Sequence, residues 1–205
     1  FDEKDKDRLE KLKKSGQSNG VEGLKVLDRQ TLRSLEPMVG EKAVAALYAP
    51  SGAIVCPFGL TIALAENAAE NGVEFHFQRE VKAIRRENDS YLVKTQAGDY
   101  EAKVVINAAG VYADEIHNMI SAYKMKITPR KGEYLLYDKN VGGMVKHTLF
   151  QLPTVLGKGV LVTPTVHGNL LTGPTAMDID DKEGVETSRE GMGQVMEKAA
   201  LSVCS

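Results

Sequence analysis

The sequence predicts an α/β fold whose second half is α+β, and three observations carry that prediction. A helix with Leu60, Leu64 and Ala68 at four-residue spacing leads into a series of short β-rich runs and a second helix after Gly110. From Ile127 onward the pattern changes to short strands parted by polar turns, as in an antiparallel or mixed sheet. With 205 residues, 42% of them hydrophobic, the chain is long enough to bury a core as one large domain or two small ones.

The elements follow in order. Leu9 and Leu12, three apart among charges, predict a short amphipathic helix that stops in the loop 15–20. Asp28 is placed to N-cap a helix over 29–35, which Pro37 ends. A strand is expected over 43–48, then the turn Pro50-Ser51-Gly52 and the apolar run 53–56. Pro57 suits the first turn of a helix over 57–71, and Asn71-Gly72 supplies its left-handed stop. Strands are expected over 73–77, 81–86, 91–95 and 102–106, with turn signals at 87–89 and 97–99. A helix then runs from Gly110 to Ile120, and later strands fall at 133–137, 148–152, 159–163 and 169–172. Residues 183–201 read as helical, although Gly191 and Gly193 each weaken that segment by roughly 1 kcal/mol.

Composition excludes several classes. Charged residues make up 26% and nearly cancel to a net charge of -2, so the concentrated basic surface a nucleic-acid binder needs is absent. Lys11, Lys13 and Lys14 follow interleaved acids, as on the wet face of a surface helix. Cys56 and Cys204 stand far apart, with neither an apolar signal peptide nor a membrane-length apolar run, which points to a reducing, cytoplasmic setting. The chain begins at Phe1 inside a charged helical pattern and stops at Ser205 soon after another helix, so both ends read as interior to a longer polypeptide. No CxxC, HExxH or GxSxG spacing occurs, so neither a metal site nor a serine nucleophile is expected. Asp178, Asp180 and Asp181 lack the calcium-loop pattern and read as a solvated loop.

The strongest local feature is Val104-Val105-Ile106-Asn107-Ala108-Ala109-Gly110-Val111-Tyr112-Ala113. A buried strand that runs into small residues and glycine, then a helix, lets a ligand approach the backbone closely. Gly52-x-Ile54-x-x-Pro57 before a helix, Gly72-Val73-x-Phe75, Val81-x-x-Ile84 and this turn together resemble the D-amino-acid-oxidase superfamily of FAD-dependent oxidoreductases. Thr128-Pro129-Arg130-Lys131-Gly132-Glu133-Tyr134 and the run from Val162 to Thr175, with Pro164-Thr165-Val166-His167-Gly168-Asn169 at its centre, resemble the glycerol-3-phosphate and L-2-hydroxyglutarate dehydrogenase branch. The resemblance covers residues 44–175.

That resemblance implies a partial, Rossmann-like FAD-binding lobe over 57–123 and a β-rich substrate lobe from 41–56 and 124–180, with a helical lead-in over 1–40 and a C-terminal helix over 181–205. It sets the backbone of Val81 against the adenine, Ala108, Ala109 and Gly110 beside ribose and pyrophosphate, and Gly173 and Thr175 beside the cofactor. The expected activity of the parent is hydride transfer to FAD from glycerol 3-phosphate or a related 2-hydroxy acid, with a separate electron acceptor through which the parent meets a membrane surface peripherally. An amino-acid oxidase or dehydrogenase of the same superfamily, and a non-catalytic binding domain that kept the fold, are the rival readings.

Such chemistry needs a base for the hydroxyl proton and a cation for the anionic group of the substrate. His147, just before a strand of the substrate lobe, is the candidate base, ahead of His167 in a turn and His76 in a strand. Arg130 is the candidate anion clamp, ahead of Lys131, Lys146 and Lys158, and Thr163 and Thr165 are candidate hydroxyl contacts to substrate. The family's GxGxxG turn and its C-terminal glycine-rich segment are not among these residues, and neither Gly142-Gly143 nor Gly157-Lys158-Gly159 replaces the first. Without those backbone donors the 205 residues alone are expected to bind FAD weakly or not at all.

Overall fold

In the computed structural model, which describes residues 5–153 and 159–204, the predicted N-cap is in place: the Asp28 carboxylate accepts from the Thr31 N–H at 2.8 Å. It opens α2 (Arg29–Leu35), which follows α1 (Asp5–Ser18) and β1 (Lys25–Asp28). Helix α1 runs past its expected stop because the Ser18 hydroxyl closes the last turn on the Lys14 and Ser15 carbonyls. Strand β1 pairs antiparallel with β2 (Ala45–Tyr48). Helix α3 (Pro57–Glu70) starts at the expected proline and ends before Gly72, whose φ of 87° only glycine adopts without strain.

Next comes an antiparallel meander of β3 (Val81–Glu87), β4 (Ser90–Thr95) and β5 (Gly98–Ala102). The strand expected over 73–77 forms no ladder among the described residues, and the one expected over 102–106 survives only as the end of β5. Their sequences suit a sheet, but a strand exists only through a hydrogen-bonded neighbour. Accordingly Phe77, Val104 and Ile106 are 79%, 72% and 86% exposed. A 3-10 turn, Gly110–Tyr112, leads into α4 (Ala113–Ile120).

The remaining elements are β6 (Arg130–Lys131), β7 (Leu135–Tyr137), β8 (Leu149–Phe150), β9 (Leu161–Pro164), β10 (Leu170–Gly173), β11 (Met177–Asp178) and α5 (Arg189–Ala199). Strands β6 and β11 pair with each other, and the others form a four-stranded antiparallel sheet in the order β7-β10-β9-β8. The mixture of helices and antiparallel sheets agrees with the predicted fold class. The chain divides into two compact units, one of Phe1–Leu60, Gly132–Ala176 and Glu186–Ser205, the other of Thr61–Lys131 and Met177–Val185.

In the first unit the register of the four-stranded sheet decides what is buried. Leu135, Thr172, Val162 and Leu149 share one face across the four strands. That face packs on Val195 and Ala199 of α5, with Val145, Val160 and Leu170 completing the core. The opposite face carries Leu136, Leu171, Thr163, Leu161 and Phe150, and Leu136 and Phe150 remain 67% and 57% exposed.

Helix α5 is shorter than the predicted 183–201 because Ser188 caps it, its hydroxyl accepting from the Gly191 N–H at 2.9 Å. The buried Glu133 carboxylate sits at the same terminus and accepts from the Ser188 N–H at 2.5 Å, where the helix dipole stabilises negative charge. Gly191 is therefore no mere helix weakener, since a Cβ there would lie 1.7 Å from Glu133 Oε2, whereas a Cβ at exposed Gly193 would meet nothing within 4 Å. Gly193→Ala is expected to raise stability by about 1 kcal/mol through helix propensity. Gly191→Ala should lower it by about 1–3 kcal/mol through overpacking. Urea unfolding of the two variants checks both signs, and a stabilised Gly191→Ala protein would contradict the packing described.

Candidate functional site

The second unit contains the bend that the sequence singled out. Asn107 braces it from within: its Oδ1 accepts from the Ala109 N–H at 3.3 Å and its Nδ2 donates to the Ala113 carbonyl at 2.7 Å. Ala108, Ala109 and Gly110 are exposed, Gly110 has φ 57°, and a Cβ on it would meet nothing within 4 Å. The main chain at the bend is thus open to close approach rather than plugged by side chains, which fits a nucleotide cofactor lying against backbone atoms. Beneath it a cavity of about 300 Å³ is walled by Ile84, Tyr91, Val105, Ile116 and Ile120. Val81 opens β3 opposite Thr95, next to an irregularity in the ladder between Val81 and Ala83.

The helix after the bend is fixed by a side chain that sequence reasoning missed. Buried Asp114 accepts from the Ile127 N–H at 2.8 Å, from the Glu115 N–H at 2.9 Å and from Lys182 Nζ at 2.5 Å. Lys182 also reaches Glu115 at 2.9 Å and stands 5.2 Å from the centroid of the Tyr112 ring. The Ile127 N–H first, then Lys182, hold the Asp114 carboxyl below the ordinary carboxylate range, and Asp114 foremost raises Lys182. Lys182 directly follows the acidic cluster read as a solvated loop, and only its partner in α4 reveals its role.

Arg130 also lies in this unit, and its fork is already engaged. Its Nε and Nη2 donate to Asp178 Oδ1 and Oδ2 at 2.6 and 3.0 Å, across the register pair that joins β6 to β11. Asp178 raises Arg130, and Arg130 lowers Asp178. The guanidinium expected to clamp a substrate anion holds a carboxylate of its own chain.

In the first unit the sheet brings His147, Thr148 and Thr163 to one region. Thr163 on β9 pairs its hydroxyl with that of Thr148 at 2.6 Å and donates to the Pro164 carbonyl at 3.0 Å. His147 Nδ1 lies 2.5 Å from Glu36 Oε1, and the ring stands edge-on to Tyr48 at 5.7 Å. Buried Glu36 also accepts from the Lys146 N–H with both oxygens, at 2.9 and 3.1 Å. Nothing in the sequence announces Glu36, which ends α2 more than a hundred positions before its partner.

The other candidates are dispersed. Thr165 accepts from the Asn169 N–H at 3.0 Å within the β9–β10 turn, where His167 is exposed. Gly173, at φ 136°, passes so near Tyr134 that a Cβ would lie 2.7 Å from its ring. Buried Thr175 accepts from the Glu133 N–H at 3.0 Å, so its hydroxyl serves the α5 terminus. Exposed His76 lies 3.2 Å from Glu74. Lys158 and Gly157 fall outside the described residues. Among the described residues no helix is long and apolar enough to cross a membrane.

The family model described as DAO, FAD dependent oxidoreductase, matches residues 1–203. A glycerol 3-phosphate dehydrogenase of Caloramator mitchellensis is 47% identical over 203 residues, 99% of this chain and 42% of that protein. An L-2-hydroxyglutarate dehydrogenase of Indibacter alkaliphilus is 26% identical over 193 residues, 92% of this chain and 48% of that one. Among solved structures, dithionite-reduced L-α-glycerophosphate oxidase from Mycoplasma pneumoniae with FAD bound superposes with a TM-score of 0.90 at 30% identity, covering 99% of this chain and 55% of that chain. The chain spans about half the length of the relatives it matches.

The Asp114–Lys182 pair makes stability depend on pH in a definite sense. Because the folded Asp114 pKa is depressed, its contribution is full above the ordinary carboxylate pKa of about 3.9 and is lost as pH falls through the folded value. Lys182 is raised, so its contribution is full below the ordinary lysine pKa of about 10.4 and fades as pH rises through the folded value. Urea midpoints measured across the acid range should fall less steeply with pH in Asp114→Asn than in the parent protein. Equal slopes would remove Asp114 from the acid transition.

Proposed function

We propose, from the premise that this chain belongs to the DAO family of FAD-dependent oxidoreductases, that the protein it represents oxidises glycerol 3-phosphate. The 47% identity over 203 residues to a glycerol 3-phosphate dehydrogenase carries this reading. The exposed main chain of Ala108, Ala109 and Gly110 suits a nucleotide, and the backbone of Val81 is our candidate for the adenine contact. When bound, FAD supplies a two-electron acceptor for the hydride on the carbinol carbon. The open face of the four-stranded sheet, apolar apart from Thr148 and Thr163, offers the flat surface on which a small substrate and a conjugated ring pack. Transfer of the electrons to a separate acceptor, contact of the parent with a membrane surface through it, and a cytoplasmic setting belong to the same reading.

The residues first singled out divide in their roles. Arg130 is held by Asp178, and Gly173 and Thr175 shape the end of the sheet, so we assign substrate contact to the Thr163 neighbourhood. Strand alternation sets Leu149 on the core face and Thr148 on the open one, so His147 falls on the side of Leu149, where Glu36 and Tyr48 hold it. We therefore read His147 as a joint between α2, β2 and β8.

The protein expressed from its complete reading frame should be yellow, absorb at about 450 nm as bound flavin does, and bleach anaerobically with glycerol 3-phosphate. Bleaching by amino acids but not by glycerol 3-phosphate or L-2-hydroxyglutarate would overturn the assignment. His147→Ala should lower the melting temperature by several degrees while turnover per bound flavin stays within about threefold, because a lost general base costs about a hundredfold or more. Steady-state kinetics normalised to flavin content decides between joint and base.

A further inference from the structure

We infer that Thr148 binds the substrate as an acceptor for its reacting hydroxyl; the inference rests on the proposed function and adds a residue that no sequence motif marks. A threonine hydroxyl has one hydrogen to donate and two lone pairs. Thr163 donates its hydrogen to the Pro164 carbonyl at 3.0 Å. Either oxygen can donate in the 2.6 Å contact between the two hydroxyls, and with the Thr163 hydrogen on Pro164 the donor is Thr148 and the acceptor Thr163. That leaves Thr148 Oγ1 with unfilled lone pairs and no hydrogen to give, and among the described residues no group donates to it. A ligand that satisfies it brings an O–H or N–H.

Position supports the same role. Thr148 shares the open sheet face with Thr163, whereas its neighbour Leu149 lies on the core face opposite Val162. Thr148 is half-buried, and it lines a cavity of about 680 Å³ at the edge of β8, walled also by Phe150, Ala46, Leu47 and Leu12. A cavity of that size takes a small organic molecule, and its lining combines apolar walls with Thr148 and the polar side chains of Arg8, Gln151 and Ser202, so a molecule with both an apolar and a polar part fits it. A secondary alcohol donating its carbinol O–H to Thr148 Oγ1 is small enough for the cavity and supplies the hydrogen that oxygen lacks. Thr163 acts through Thr148 and is a positioning residue.

The test uses the full-length flavoprotein and compares glycerol 3-phosphate with its 2-deoxy analogue, propane-1,3-diol monophosphate, as a competitive inhibitor. Thr148→Val keeps the shape and removes the hydroxyl, so KM for glycerol 3-phosphate should rise about three- to tenfold, the equivalent of one neutral hydrogen bond. The inhibition constant of the deoxy analogue and the flavin content should not change, and Thr148→Ser should restore KM. An unchanged KM in an active Thr148→Val protein overturns the role of Thr148 alone. A parallel rise in KM and in the inhibition constant also overturns it, since that marks a distorted sheet. If the parent protein oxidises no hydroxy compound, the functional reading and this inference fall together.

Discussion

The first unit depends on the burial of one carboxylate. Glu133 stands two residues before β7, Thr175 two residues after β10 and Ser188 at the start of α5, and between them the Glu133 backbone and side chain touch both of the others. A buried carboxylate is costly unless donors surround it, so the three segments must converge for it to be tolerated. Gly191 permits the approach because it has no Cβ to strike the carboxylate. Once α5 is pinned there, Val195 and Ala199 cover the sheet face that carries Val162 and Leu170. The pleat then leaves Thr148, Thr163, Leu136 and Phe150 on the other face, so the location of the candidate site follows from which face the helix takes.

The second unit applies the same device to a bend. Asn107 and Asp114 satisfy backbone N–H and C=O groups that no ladder reaches, one within the turn and one between α4 and the segment that follows it. Short polar side chains are suited to this because they fix the backbone without filling the space beside it. The result is an ordered stretch of main chain that is also accessible, which a bulky buttress would not give. Lys182 reinforces it from a distant part of the chain, and its charge is offset by Asp114 and Glu115.

Local chemistry was legible in the sequence wherever a single residue determines the backbone. Asp28 as a cap, Pro57 as a helix start, Asn71-Gly72 as a stop and Asn107–Gly110 as an open bend all lie where expected. Strand β1 was missed because four residues are too few to show alternation. The segments 73–77 and 103–106 show the converse, with β-rich sequence but no neighbour among the described residues to pair with. The partners of His147 and Arg130 were not legible, since Glu36 and Asp178 come from distant parts of the chain and neither has a local signature. Asp178 had been read as solvent-facing from the company it keeps in sequence, and it is half-exposed, yet its two oxygens are aligned on the one guanidinium thought to await a ligand.

These distant pairs change how the site is read. A cation and a histidine attract functional assignments because they are chemically conspicuous, but here each is engaged by a carboxylate of the same chain. Thr148 is inconspicuous by type, and its candidacy comes from counting hydrogens along a chain of three groups that ends on a backbone carbonyl. Directionality of this kind favours a ligand by what it can donate rather than by its charge. In the role proposed for Thr148, selection between a hydroxy substrate and an analogue without the hydroxyl rests on one oxygen, held in orientation by a sheet whose opposite face is closed by α5.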